Sequence, residues 1–170
     1  MRRVRDMDRV AVFTTTCMVL AMSLATIATD PGGHPLISLS LDARHWPNVI
    51  VYVANGSKDA VRLWEDRNSW GWANFSLCAV TSDGRVRSIV RKPASFDKNG
   101  PTFYIVPPGG TKAIRLNLSD GWWQEVDDEM LRQSPLAVSV ILHIVSSTEA
   151  TELHVWTGTA ISPWTDQVGQ

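Results

Sequence analysis

From Leu36 to Val155 apolar side chains return at every second position in short runs, and that period places them on one face of extended strands. Ile37, Leu39 and Leu41 point inward while Ser38, Ser40 and Asp42 point out. Val49, Val51 and Val53 repeat the pattern before Asn55-Gly56-Ser57 turns the chain toward Val61 and Leu63, and Phe75, Leu77 and Ala79 make another row. Asp83-Gly84 suits the positive backbone angles of a two-residue hairpin loop, with Val86 to Val90 as the returning strand. Residues 93–101 read as a loop, and Phe103 and Ile105 lead into Pro107-Pro108-Gly109-Gly110, where prolines remove ladder donors and glycines permit the turn. Ile114, Leu116 and Leu118 follow.

The period changes once: Asp120 caps a predicted short helix whose stripe is Trp123, Val126, Met130 and Leu131, ended by Pro135. Leu136, Val138, Val140, Leu142 and Ile144 restore the strand period. A hairpin across Ser147 to Ala150 then pairs Ile144 with Leu153 and Leu142 with Val155, and sets His143 opposite His154. Seven to nine short strands without alternating long helices predict an all-β, antiparallel sandwich with one short helix. The stretch VYVANGS, the Asp83-Gly84 hairpin and PPGGTKAIRLNL resemble bacterial secreted domains of the immunoglobulin-like superfamily over about residues 36 to 162. The resemblance includes no paired cysteines and no functional motif; it implies an immunoglobulin-like fold and no activity.

Ahead of the strands, Arg2, Arg3, Arg5 and Arg9 precede an apolar run from Val10 to Met22, followed by small residues at Ser23, Ala25 and Ala28. That order predicts an apolar export helix: residues 1–25 form a signal peptide cleaved after Ala25 or Ala28, or a membrane anchor if residues 1–28 stay uncleaved. Either way the arginines remain cytoplasmic and the rest is exported to the periplasm, the cell envelope or the medium. Residues 26–35 read as a linker, 36–165 as the sandwich and 166–170 as a tail. Without the leader the chain keeps 12 basic and 15 acidic residues, a net charge of −3, which argues against nucleic acid as the partner. Cys17 falls in the leader, so Cys78 is left without an internal disulfide partner and reads as a buried small hydrophobe.

No CxxC, HExxH, phosphate loop or GxSxG turn occurs, so neither catalysis nor a cofactor is expected. The acidic segment Asp120, Glu125, Asp127, Asp128 and Glu129 lacks the alternation of a calcium loop and reads as a solvated helix face. Asn55, Asn74 and Asn117 each fit the glycosylation acceptor pattern; in a bacterial chain they are plain turn or strand residues.

Two groups of residues remain as candidates. Trp64, Trp70 and Trp72 lie within nine positions, and if the strand of Phe75 extends backward, Trp70, Trp72 and Asn74 share its outer face in the manner of a sugar-binding platform. Core or rim packing of the three indoles is the competing reading. The opposed pair His143 and His154 is a candidate metal site, set against two solvated imidazoles. The expected function is an exported, non-enzymatic interaction or structural module with an unidentified protein or glycan partner. The alternative is a carbohydrate-binding module using Trp70 and Trp72.

Overall fold

The computed structural model describes residues 36–97 and 100–166. The expected export segment and linker, and residues 167–170 of the tail, lie outside the described residues.

The fold is all-β, with antiparallel strands in three sheets. The first sheet runs β1 (Ile37–His45), β2 (Asn48–Asn55), β7 (Thr111–Asn117), with Leu39 opposite Val53 and Val51 opposite Ile114. The turn between β1 and β2 contains a cis Trp46–Pro47 peptide. Alternation decides the buried face, since Val49, Val51, Val53, Ile114 and Leu116 are all buried.

The second sheet centres on β8 (Ala137–Ile144), which pairs on one side with β4 (Phe75–Val80) and on the other with β9 (Gly158–Ile161) and β10 (Thr165–Asp166); β5 (Val86–Val90) extends it beyond β4. Its inward row is Phe75, Leu77, Ala79, Ile89, Val138, Val140 and Leu142, all buried, and it shares one hydrophobic core with the first sheet. Two sheets meeting through their apolar rows are compatible with a β-sandwich. The third sheet is a ribbon of β3 (Val61–Trp64) and β6 (Phe103–Val106).

Several expectations are corrected. The β4–β5 connection is a three-residue loop, not a two-residue one: Thr81 N donates to Arg85 O at 2.8 Å, and Gly84 N donates to Thr81 O at 2.8 Å. Gly84 takes the positive φ of 79° that this bulged form requires. In β6 the inward residue is Val106; Ile105 pairs with Arg62 on the outer side of the ribbon and is exposed. Leu136 lies just before β8 and is exposed as well.

There are two short helices rather than one. The first, α1 (Asp128–Arg132), starts seven residues later than expected, capped by Asp127, whose carboxylate accepts from Met130 N at 2.8 Å. Asp120 instead accepts from Trp122 N at 2.9 Å, a local turn that leaves Trp123 extended and paired with Arg91. The second, α2 (Thr148–Glu152), occupies the expected hairpin turn because Ser147 caps it, accepting from Ala150 N at 3.1 Å, with Glu149 in its first turn.

Beyond α2 the chain runs to β9, so the strand that pairs with the end of β8 is not Leu153–Val155. Leu142 lies opposite Ala160 and Ile144 opposite Gly158. Between β9 and β10 the pairing slips: Ile161 faces Ile141, whereas Thr165 faces Val138. Ser162 bridges the slip, its hydroxyl accepting from Val140 N at 3.0 Å and its carbonyl accepting from Ser139 Oγ at 2.9 Å.

Candidate interaction surface

The tryptophan segment is not a strand. Asn68, buried, organises it as a compact turn: its carboxamide oxygen accepts from Trp70 N at 3.0 Å and Gly71 N at 2.9 Å, and its Nδ2 donates to Thr102 Oγ1 at 3.0 Å. Trp64 is buried in β3, stacked on Phe103 at 5.1 Å between ring centroids, with Trp70 packed against it at 6.0 Å. Trp72 is half-buried and its indole N–H donates to Lys92 O at 2.8 Å. Asn74 is half-buried; its carbonyl accepts from His143 N at 2.8 Å, and its Nδ2 is buried with no hydrogen-bond partner. The alternation argument therefore places Trp70, Trp72 and Asn74 wrongly. The turn at Asn68–Gly71 separates the two indoles, so they do not form one coplanar row.

What Trp72 does instead is hold an arginine. The Arg91 guanidinium lies 4.4 Å from the Trp72 ring centroid and 4.0 Å from that of Trp123, sandwiched between the two. Its terminal nitrogens face Asp120 at 2.9 Å and Asp66 at 3.9 Å. Asp66 is buried and accepts from Tyr104 OH at 2.6 Å. The group ties the β3–β6 ribbon to the end of β5 and to the 120–123 turn. Arg91 gives no signal in the sequence, because the three segments that meet on it are far apart along the chain.

Burial, then the hydrogen bond to Asp66, hold the Tyr104 phenol well above the ordinary tyrosine range. A folded-state pKa raised above the unfolded value contributes stability that is complete below about pH 10 and falls as the pH rises beyond it. Chemical denaturation between pH 8 and 11.5 should show that alkaline loss. Tyr104→Phe should flatten it while lowering stability at pH 8 by about 1–3 kcal/mol, because Asp66 loses a donor. An unchanged slope in the variant would remove Tyr104 as its source.

His143 does not face His154. It lies opposite Thr159 in β9, and its Nδ1 is 2.7 Å from Thr159 Oγ1. His154 sits after α2 with a φ of 55°, outside any strand. The cross-strand geometry from which a two-histidine metal site was expected is therefore not formed.

The most distinctive surface is one that the sequence reading did not single out. Along β4, β5, β8 and β9, the positions alternating with the core row face away from the first sheet, and Cys78, Ser139 and Thr159 among them are buried. They read Ser76, Cys78 and Val80 on β4, then Val86, Ser88 and Val90 on β5. On β8 they are Ala137, Ser139, Ile141 and His143, and on β9 Thr159 and Ile161. Not one of these is Asp, Glu, Lys or Arg, in a chain where those make up 19% of residues, although on β10 of the same sheet Asp166 stands opposite Ala137.

The centre is flat and made of small side chains, with Cys78 and Ser139 buried. The rim carries large apolar ones. Val145 continues the β8 row and is 66% exposed; Trp164, just before Thr165 on the β9–β10 side, is 49% exposed; Val86 starts β5; and Trp122, flanking buried Trp123 at the other end of β5, is 48% exposed. Four of the six large apolar side chains exposed among the described residues border this face. A signal was present in the sequence: FSLCAV and AVSVILHI are apolar or small at both parities, as no strand with a solvated side needs to be.

The outward side of the first sheet differs, carrying Asp42, bonded to Arg44 at 2.6 Å, and Arg115. No family model, no curated protein and no solved structure matches the chain.

Proposed function

We propose that the chain is an exported, non-enzymatic interaction module of immunoglobulin-like topology that binds its partner through the outer face of the five-stranded sheet. The observation that carries this reading is the row of small and apolar residues on the outer side of β4, β5 and β8, with its rim of half-exposed apolar side chains. A solvated sheet face is ordinarily polar, so a row of small and apolar residues there is explained by a surface that meets another macromolecule.

The topology supports the immunoglobulin-like assignment. Strands β1, β2 and β7 take the places of A, B and E, and β9–β10, β8, β4 and β5 those of G, F, C and C′, with the β3–β6 ribbon as an addition. Export rests on the arginine-led apolar leader. Glycan binding by Trp70 and Trp72 has less support, because Trp70 packs on Trp64 and one face of Trp72 is covered by Arg91.

Two histidines provide the test. His143 is exposed on the proposed face, and His154 is exposed outside the sheet. In extracts of the native envelope, diethylpyrocarbonate should modify His154 at its usual rate and His143 several-fold more slowly than in the dilute isolated chain. Equal reactivity of the two in both preparations would remove the contact face.

A further inference from the structure

We infer that Trp122 is the platform of a carbohydrate subsite, its open indole face stacking on one pyranose ring of a glycan chain while Lys92 and Gln124 bond the sugar's hydroxyls. Trp122 also borders the contact face proposed above, but the inference rests on how this one ring is held and what surrounds it.

Local register builds the site. Arg91 and Trp123 form an antiparallel bridge, closed by Lys92 N donating to Trp122 O and Gln124 N donating to Val90 O at 2.8 Å each. Side chains alternate along both segments, so Arg91, 7% exposed, and buried Trp123 share one side. Lys92, Trp122 and Gln124 share the other, with Lys92 directly across from Trp122, and all three are exposed.

The ring is fixed as well as exposed. Trp122 N donates to Asp120 Oδ1 at 2.9 Å, which sets its backbone. Its indole meets Trp72 edge-on, with 5.5 Å between centroids and 83° between planes. Trp72 is the support here: its N–H donates to Lys92 O at 2.8 Å, the Arg91 guanidinium lies 4.4 Å from its ring, and Phe96 packs against it at 5.6 Å. An indole that is 48% exposed yet braced in this way has little rotamer freedom left to lose when a ligand stacks on it.

The neighbours identify the ligand's chemistry. The anchor of a protein interface sits among other desolvated side chains, whereas this ring is bordered by the ammonium of Lys92, the carboxamide of Gln124 and the carboxylate of Asp120, all on exposed residues. Lys92 Nζ donates to Gly121 O at 2.7 Å, which leaves donors to spare, and it pairs with no carboxylate among the described residues. A sugar ring has an apolar C–H face and hydroxyls projecting from its margin. A flat indole with donors and acceptors at its edge is complementary to both.

Affinity electrophoresis of the purified chain, through gels that each hold one soluble polysaccharide, tests the subsite. Hydroxyethylcellulose, laminarin, xylan, galactomannan and polygalacturonate serve as probes, the last being acidic. The expected result is retardation by at least one of them. Trp122→Ala should weaken that binding about tenfold or more, and Trp122→Phe, which keeps a flat ring, should retain part of it. Gln124→Ala changes an exposed side chain and should weaken binding with an unchanged melting temperature. Trp164→Ala, at a ring 49% exposed on the opposite edge of the sheet, should bind like the parent.

No retardation by any of the probes, or retardation that Trp122→Ala leaves unchanged, overturns the subsite. Neither result touches the contact face, which stands or falls on the reactivity of His143. A glycan bound through Trp122, with His143 equally reactive in extract and isolated chain, keeps the subsite and removes the contact face.

Discussion

Replacing Arg91 with Ala will lower the free energy of unfolding by about 3–5 kcal/mol, the cost of removing one partner from a buried charge group. The side chain is 7% exposed, and its removal leaves the Asp66 carboxylate buried with Tyr104 as its remaining partner. It also opens a guanidinium-sized gap between Trp72 and Trp123, whose rings lie on either side of it. In a domain of this size the loss should appear as a fall in Tm of about 10 °C or more. Arg91→Lys should fall between the two, since the ammonium keeps the charge but not the planar surface that both indoles cover. Chemical denaturation followed by tryptophan fluorescence reads stability and stack together. A loss below about 1 kcal/mol for Arg91→Ala would mean that the stack is incidental to the fold.

Gly71→Ala should cost about 2–3 kcal/mol for a different reason. A Cβ built on Gly71 would lie 2.0 Å from Glu65 O and 2.6 Å from Glu65 C, and these are backbone atoms that cannot swing aside. The residue is further fixed because Gly71 N donates to the Asn68 side chain at 2.9 Å. The turn must therefore open, withdrawing Trp70 from Trp64. Gly84→Ala makes the comparison, since at φ +79° with nothing within 4 Å it meets conformational strain but no clash and should cost about 1 kcal/mol. If the two variants melted alike, the close approach at Glu65 would not be what fixes residue 71.

These two positions also show why the sequence is informative about strands and poor about the site. Val49, Val51 and Val53 identify β2 unaided, because a two-residue period with one buried face has a single reading. The β4–β5 hairpin is legible from Asp83-Gly84 for the same local reason, even though its loop is one residue longer than expected. Which strands become neighbours is not local: β2 pairs with β7 and β4 with β8 across dozens of residues, and nothing in either run names its partner.

The short helix α2 was hidden by its flanks, where Leu153 and Val155 imitate a strand, although Ser147 followed by Thr148-Glu149 is a readable cap. The platform reading of the tryptophans fails because it extends alternation backward through Gly71, where the chain turns, whereas the competing reading of core or rim packing describes Trp64 and Trp70. The contact face lay in view as strands apolar at both parities, but from the sequence alone such a run reads equally well as a central core strand.

The slip at Ser162 has a consequence for how large an assembly this chain can build. An unpaired sheet edge is a template on which further strands add without limit. On the β9–β10 edge, Pro163 has no amide hydrogen to offer, and Ser162 commits its hydroxyl, carbonyl and amide to β8. On the opposite edge the backbone of residues 122–124 covers the C-terminal end of β5, through Lys92 N to Trp122 O and Gln124 N to Val90 O at 2.8 Å each. Growth of this sheet is hindered at both sides. Crowding such molecules therefore favours discrete particles over filaments, and the chain can accumulate to high local density without this sheet seeding fibres.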